Sequence, residues 1–328
     1  MKAALVNDKW FTTMEGAFVK NTDGVTRSEI DPWEARNAFD FEIVKEQSYT
    51  IDGRPIPKHY HLERTDDREI VPSRGVGDEY KPIQHLAVYD YLINEVMPQC
   101  PDMKLESVGT LHGGGTGIVS IKMGDNFGVT GDKSPYETRL YFINQNNGKG
   151  AAILGTSTVR LWCQNQVPAA MRSAGKSGFR IYHSTNAEVK MDFALETIAE
   201  QIRLASDIRD RQERLAHIKV GDRELNNLVN KFFPLGAFEE GSRGWTRMLN
   251  QREAVINQFT GGETAQSFEG EKTASVLFNS FTYPVYNPTK IGKETDLAQI
   301  RYSATLGSRA DRVNRILTAV EEEVGIAA

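Results

Sequence analysis

The chain is nearly free of cysteine, with Cys100 and Cys163 its only two among 328 residues. Two thiols cannot frame a disulfide scaffold or complete a cysteine-based zinc site, so a reducing, cytoplasmic setting is expected. Long apolar runs are missing as well, which argues against a membrane-spanning helix. The opening MKAALVNDKWF turns polar too soon for a secretion signal. Nor is there an excess of basic charge, since 44 acidic residues against 39 basic ones leave −5. That balance excludes a protein that coats nucleic acid with its whole surface. It leaves room for a local basic face, because the field at a site follows how charge is distributed. Catalytic signatures are equally scarce. No nucleophile elbow is present, and PDMKLE, which opens like a nuclease motif, lacks the later acidic-x-Lys element because SI precedes Lys122. His59 and His61 form an HxH pair with no further ligands in register. No metal, no cofactor and no enzymatic activity are therefore expected.

What is present is a globular composition, 39% apolar and 25% charged, at a length sufficient for two ordinary domains. Four glycines crowd TLHGGGTGIVSIKMGD, but a strand pattern follows them rather than a helix. A phosphate loop needs a helix N-terminus behind it, so this stretch predicts a hairpin turn. Asp52-Gly53 and NNGKG predict two more. Helices are expected at DPWEARNAF, with Asp31 as cap and Pro32 in the first turn, and at PIQHLAVYDYLINEVM. STVRLWCQNQVPAAMRSA reads as a helix kinked at Pro168, and FRIYHS as a short strand. From about Ala187 the apolar period becomes helical, with further helices at DRELNNLVNKFF, GWTRMLNQREAVINQF, EKTASVLFNSFTY and SRADRVNRILTAVEEEV. The expected class is α+β: an irregular segment over 1–35, an antiparallel strand-rich core over 36–186 and a helical region over 187–328.

The segment from 151 to 190 stands out. Arg160, Arg172, Lys176, Arg180 and Lys190 face Glu188 alone, a balance of +4 in an acidic chain. Trp162, Phe179 and Tyr182 are interleaved with the amides Gln164, Asn165 and Gln166. Guanidinium and ammonium groups pair with phosphates, and aromatic faces stack on unpaired bases. The same residues could instead be core aromatics, an internally paired Arg160 and a solvated face. A second cluster, Arg301, Arg309, Arg312 and Arg315, precedes an acidic run at Glu321, and GSRGWTRMLNQRE adds Arg243, Arg247 and Arg252.

The order TDDREIVPSRGVGDEYKPIQHLAVYDYL, LESVGTLHGGGTGIVSIKM, TVRLWCQNQVPAA, FRIYHS and then a long helix resembles the phage and plasmid family called domain of unknown function 932. Its Arg-x-x-Cys-x-Asn element corresponds to Arg160, Cys163 and Asn165, and its short basic strand to Arg180, His183 and Ser184. The resemblance runs over about residues 30 to 310; the family's WHGLG-like N-terminal element is not recognisable here. It implies a mobile-element setting, in the cytoplasm of an infected host cell. The strand-strand-strand-helix order is also similar in topology to the single-strand annealing recombinases, which hold DNA in a basic groove and assemble into rings or filaments. The expectation that follows is a phage-encoded single-stranded DNA-binding protein for annealing, recombination or replication, acting as a homo-oligomer. Lys149, Arg160, Arg172, Lys176 and Arg180 would contact phosphates; Phe179 or Tyr182 would stack on bases; Asn165 and His183 would hydrogen-bond the strand. Removing Arg160 and Arg180 together is expected to weaken binding without unfolding. The alternatives are a phage protein that seizes a host defence or regulatory protein, or a virion component.

Overall fold

Turn chemistry sets the first half of the fold. In the computed structural model, which describes residues 31–99, 102–148, 150–160, 165–169, 179–184, 194–287 and 310–326, β1 (Ile43–Tyr49) and β2 (Pro55–Arg64) form an antiparallel hairpin. Gly53 turns it at a φ of 77°, a left-handed conformation that costs glycine little. Helix α1 (Pro32–Arg36) precedes the hairpin, and the Asp31 carboxylate accepts from the Trp33 amide at 2.9 Å, as expected of a cap. Helix α2 (His85–Tyr91) follows and widens into a π turn and a last 3-10 turn ending at Gln99.

A six-stranded sheet comes next, in the order β3-β4-β5-β6-β7, with β8 also paired to β6. Its strands are β3 (Met103–Leu111), β4 (Thr116–Val129), β5 (Asp132–Gln145), β6 (Ala152–Arg160), β7 (Asn165–Ala169) and β8 (Phe179–Ile181). The glycine-rich stretch is the β3-β4 turn, as its pattern predicts, and its glycines serve two purposes. Gly113 and Gly114 take φ values of 61° and 84°. Gly115 and Gly117 make room: a Cβ on either would stand 2.5 Å from the Val71 or His85 side chain.

The helix expected over 157–174 is absent from its described residues. Its described parts, Ser157–Arg160 and Asn165–Ala169, are strand. Thr156, Ser157 and Thr158 are buried along with Ala152, Ile153 and Leu154 of the same strand, so it shows no alternation of polar and apolar positions. A strand covered on both faces carries no period-2 signal to set against a helical reading. The β-branched run TSTV was the better cue.

The helical half follows its periodicity: α3 (Ala194–His217), α4 (Asp222–Phe232), α5 (Arg243–Thr260), α6 (Glu263–Ser267), α7 (Ala274–Tyr286) and α8 (Ala310–Glu323). Ser242 Oγ caps α5 by accepting from the Trp245 amide at 3.2 Å. Residues Ala274 through Thr282 of α7 are all buried, and this helix packs against α5, α6 and α8. The chain is therefore α+β, with antiparallel strands in its N-terminal half and helices in its C-terminal half.

The described residues group into two compact units that interleave along the chain. Among the described residues, a sheet unit draws on those within 1–125, 138–156 and 170–204, and a helical unit on those within 126–137, 157–169 and 205–328. Phe39, Tyr89, Leu92, Leu140, Phe142 and Ile181 belong to the core of the first. No helix among the described residues is long and apolar enough to cross a membrane.

Candidate nucleic-acid interface

Strand β8 lies against the first residues of β6, pairing Ile181 with Ala152 and Arg180 with Ile153. Its alternation is strict. Ile181 is 0% exposed and part of the core, whereas Arg180 is exposed and Tyr182 is 57% exposed. Arg180 makes no ion pair among the described residues, and Tyr182 is one of the few large aromatic side chains left open to solvent. The following residue turns inward again, and His183 is 6% exposed. A free guanidinium and a free ring on adjacent outward positions can meet a phosphate and an unstacked base.

His183 supports this face instead of taking part in it. The Ile83 amide donates to its Nδ1 at 3.2 Å, the Lys81 amide donates to its carbonyl at 3.3 Å, and its ring stacks on Tyr80 at 5.0 Å. Accepting at Nδ1 forces the ring's proton onto Nε2. His85 is locked in the same tautomer. Its Nε2 donates to the Gly114 carbonyl at 2.7 Å, while Asn144 Nδ2 donates to its Nδ1 at 2.9 Å. Asn144 and Asn146 also donate to the Ile83 carbonyl, at 2.6 and 2.8 Å. The segment from Tyr80 to His85 is thus clamped to the ends of β5 and β8, which brings the exposed Lys81 alongside the residues that follow β8.

Burial sets the protonation of both imidazoles. It lowers the His85 pKa to about 4, partly opposed by the Gly114 hydrogen bond and reinforced by His183 and Arg64. It lowers His183 to about 4 as well, against a smaller upward pull from the Gln145 backbone. Both rings are neutral at pH 7. Burial also pushes the Tyr80 hydroxyl up.

Arg160 is not on this face. It ends β6 with its side chain 1% exposed and paired to Asp132, whose side chain is 0% exposed. Arg160 Nε donates to Asp132 Oδ2 at 2.6 Å and Nη2 to Oδ1 at 3.0 Å. Nη2 also donates to Ser267 Oγ, Tyr136 donates to Asp132 Oδ2 at 2.8 Å, and the guanidinium lies 5.4 Å from the Phe268 ring. Its donors are turned to protein, so the reading of Arg160 as a phosphate contact gives way to an internal bidentate pair.

Of the other expected contacts, Asn165 opens β7 and Phe179 opens β8. Lys149, Arg172 and Lys176 lie outside the described residues. His59 and His61 gather no ligand set, and among the described residues no three histidine, cysteine, aspartate or glutamate side chains converge. Residue-by-residue reading missed Tyr80, Lys81, His85, Asn144 and Asn146. The amide-rich end of β5, FINQNN, was the available signal, because amides following apolar residues on a strand need buried partners.

No curated protein and no solved structure matches the chain. A family model does match, over residues 74–309, which is more than half of its length and takes in both β8 and the helices from α2 to α7. By that match the chain belongs to the family described as Domain of unknown function (DUF932).

Proposed function

We propose that this chain is a single-stranded DNA-binding protein of a bacteriophage or plasmid, working in strand annealing, recombination or replication inside the host cell. The observation that carries the reading is the adjacent pair Arg180 and Tyr182, both turned to solvent while Ile181 between them anchors the strand. An exposed aromatic beside an unpaired cation suits an unstacked base and its phosphate, and it suits a duplex poorly because duplex bases present no free face. Lys81 adds a second cation alongside. One such platform reads few nucleotides, so binding by a homo-oligomer would supply the cooperativity common to single-strand binders.

The test is fluorescence anisotropy with a labelled oligothymidine and a matching duplex at two salt concentrations. Preference for the single strand, falling steeply with salt, is the expected result. Equal affinity for both, or no binding to either, would sink the proposal.

A further inference from the structure

The helical unit carries a groove that the single-strand reading does not use. It has a volume of about 910 Å³ and is walled by α4, α5, α8 and the end of α7. Lys231, Arg247, Arg312 and Arg315 line it, against Glu322 as the one carboxylate. Arginines that lie far apart in the sequence, on α5 and α8, therefore meet at one place. Lys231 pairs with Glu322 at 3.1 Å, and Arg312 donates to Gln251 Oε1 at 3.2 Å. Arg247 and Arg315 are exposed and make no ion pair among the described residues.

The apolar part of the lining decides what the cations are for. Phe232, Met248 and Pro284 are half-buried in it, and Val285 lies beneath. Phe233 is already engaged: it stacks on Phe281 at 6.0 Å with 10° between the rings, and Arg312 lies 5.6 Å from its centre. The groove thus offers methylene, thioether and ring-edge surface, with little open aromatic face for a base. Strand binding would call for stacking platforms. An apolar cleft between helices with a basic rim matches an amphipathic segment that buries aliphatic or aromatic anchors and sets acidic residues against the rim. The volume lies within the usual range for pockets that enclose a ligand or a few anchoring side chains.

We propose that this groove is a docking site for an acidic peptide segment with apolar anchors, belonging to a partner protein. Arg247 and Arg315 take its carboxylates, and Met248, Phe232 and Pro284 take its apolar side chains.

The experiment uses the full chain and three labelled probes: a short synthetic peptide alternating Asp or Glu with Leu and Phe, a poly-glutamate of equal length, and oligothymidine. The amphipathic peptide should bind best. Arg247→Glu with Arg315→Glu should weaken it by roughly tenfold or more, with a smaller salt dependence, while oligothymidine binding is unchanged. Both side chains are exposed, and thermal melting verifies the fold; Arg247→Gln with Arg315→Gln is the milder pair should the reversal unfold the unit. The proposal is overturned if the amphipathic peptide fails to bind, binds the variant as well as the wild type, or binds no better than poly-glutamate. It is overturned equally if oligothymidine is the probe that the variant loses, since the groove would then belong to nucleic acid. Failure of the single-strand reading alone would show as oligothymidine binding neither protein while the peptide still distinguishes them.

Discussion

Arg160 closes β6 and Arg180 sits in the middle of β8, and both come from the same basic stretch of sequence. Within the helical unit Arg160 is enclosed by Asp132, Ser267 and Phe268. Within the sheet unit Arg180 stands in solvent with a core isoleucine beside it. Charge counting treats the two alike. What separates them is whether a carboxylate from elsewhere in the chain faces the position, and that is a property of tertiary structure. A local excess of arginine therefore marks a binding face only after the internally paired members have been removed from the count.

The largest expected effect tests the buried side of that contrast. Arg160→Ala or Asp132→Ala strands a buried charge and should destabilise the helical unit by about 3–5 kcal/mol. Urea unfolding followed by circular dichroism measures it. Replacing both residues by apolar ones of similar size should recover much of the loss, because the pair's desolvation cost disappears with it. A double variant that removes Arg160 and Arg180 together would consequently lose binding through unfolding and say little about the interface. If Arg160→Ala leaves stability unchanged, the pair is not the internal anchor described here.

Acid should act next, through the imidazoles beneath β8. His85 and His183 have native pKa values of about 4, below the ordinary value near 6.5. Between those limits the unfolded chain binds more protons than the folded one, so stability present above pH 6.5 is lost as the pH falls toward 4. Each imidazole contributes a slope on the order of 1 kcal/mol per pH unit in that window. His183→Asn keeps an acceptor for the Ile83 amide and His85→Gln keeps a donor for Gly114, and neither replacement titrates. Denaturant midpoints measured between pH 7 and 4 should be markedly flatter in the double variant. Parallel curves for variant and wild type would show that other groups govern the acid response.

These contrasts also mark how far the sequence could be read. The hairpin turns at Asp52-Gly53, in the glycine run and at NNGKG, each with a residue of left-handed φ, were legible because dihedral demands are local. The helices α4, α5 and α8 were legible because one apolar stripe repeats along each. The second half of β6, from Ser157, was not, since burial of Thr156, Ser157 and Thr158 erases the alternation that would have betrayed it. Of the expected contacts, Arg180 and Tyr182, named from type and spacing alone, stand exposed. Arg160 was misplaced because Asp132 and Ser267, the partners that decide its role, lie in distant parts of the chain. His183 was named with the wrong role for the same reason: Ile83 and Tyr80 come from before the sheet.

On the exposed side of the comparison, Tyr182→Ala should weaken single-strand binding by about 1–3 kcal/mol, the usual worth of one stacked base. Tyr182→Phe keeps the ring and should retain most of the affinity, which separates stacking from a hydroxyl contact. Anisotropy titrations of the two variants against oligothymidine decide the matter. Equal losses in both would assign the role to the hydroxyl.

The smallest effect is the one that completes the contrast. Arg180→Ala removes an exposed side chain with no ion pair among the described residues, so stability should change by less than about 0.5 kcal/mol. The same replacement at Arg160 is expected to cost several times more. If Arg180 neutralises a phosphate, its loss should reduce the slope of log affinity against log salt by about 0.7, the single-strand value per phosphate. It should do so while the preference for single strands expected from Tyr182 persists. A titration series at several salt concentrations reads the slope directly and does not depend on the absolute affinity. An unchanged slope with a lowered affinity would mean that Arg180 acts by shaping β8, not by meeting the strand, and the two arginines would then differ only in how deeply they are built into the fold.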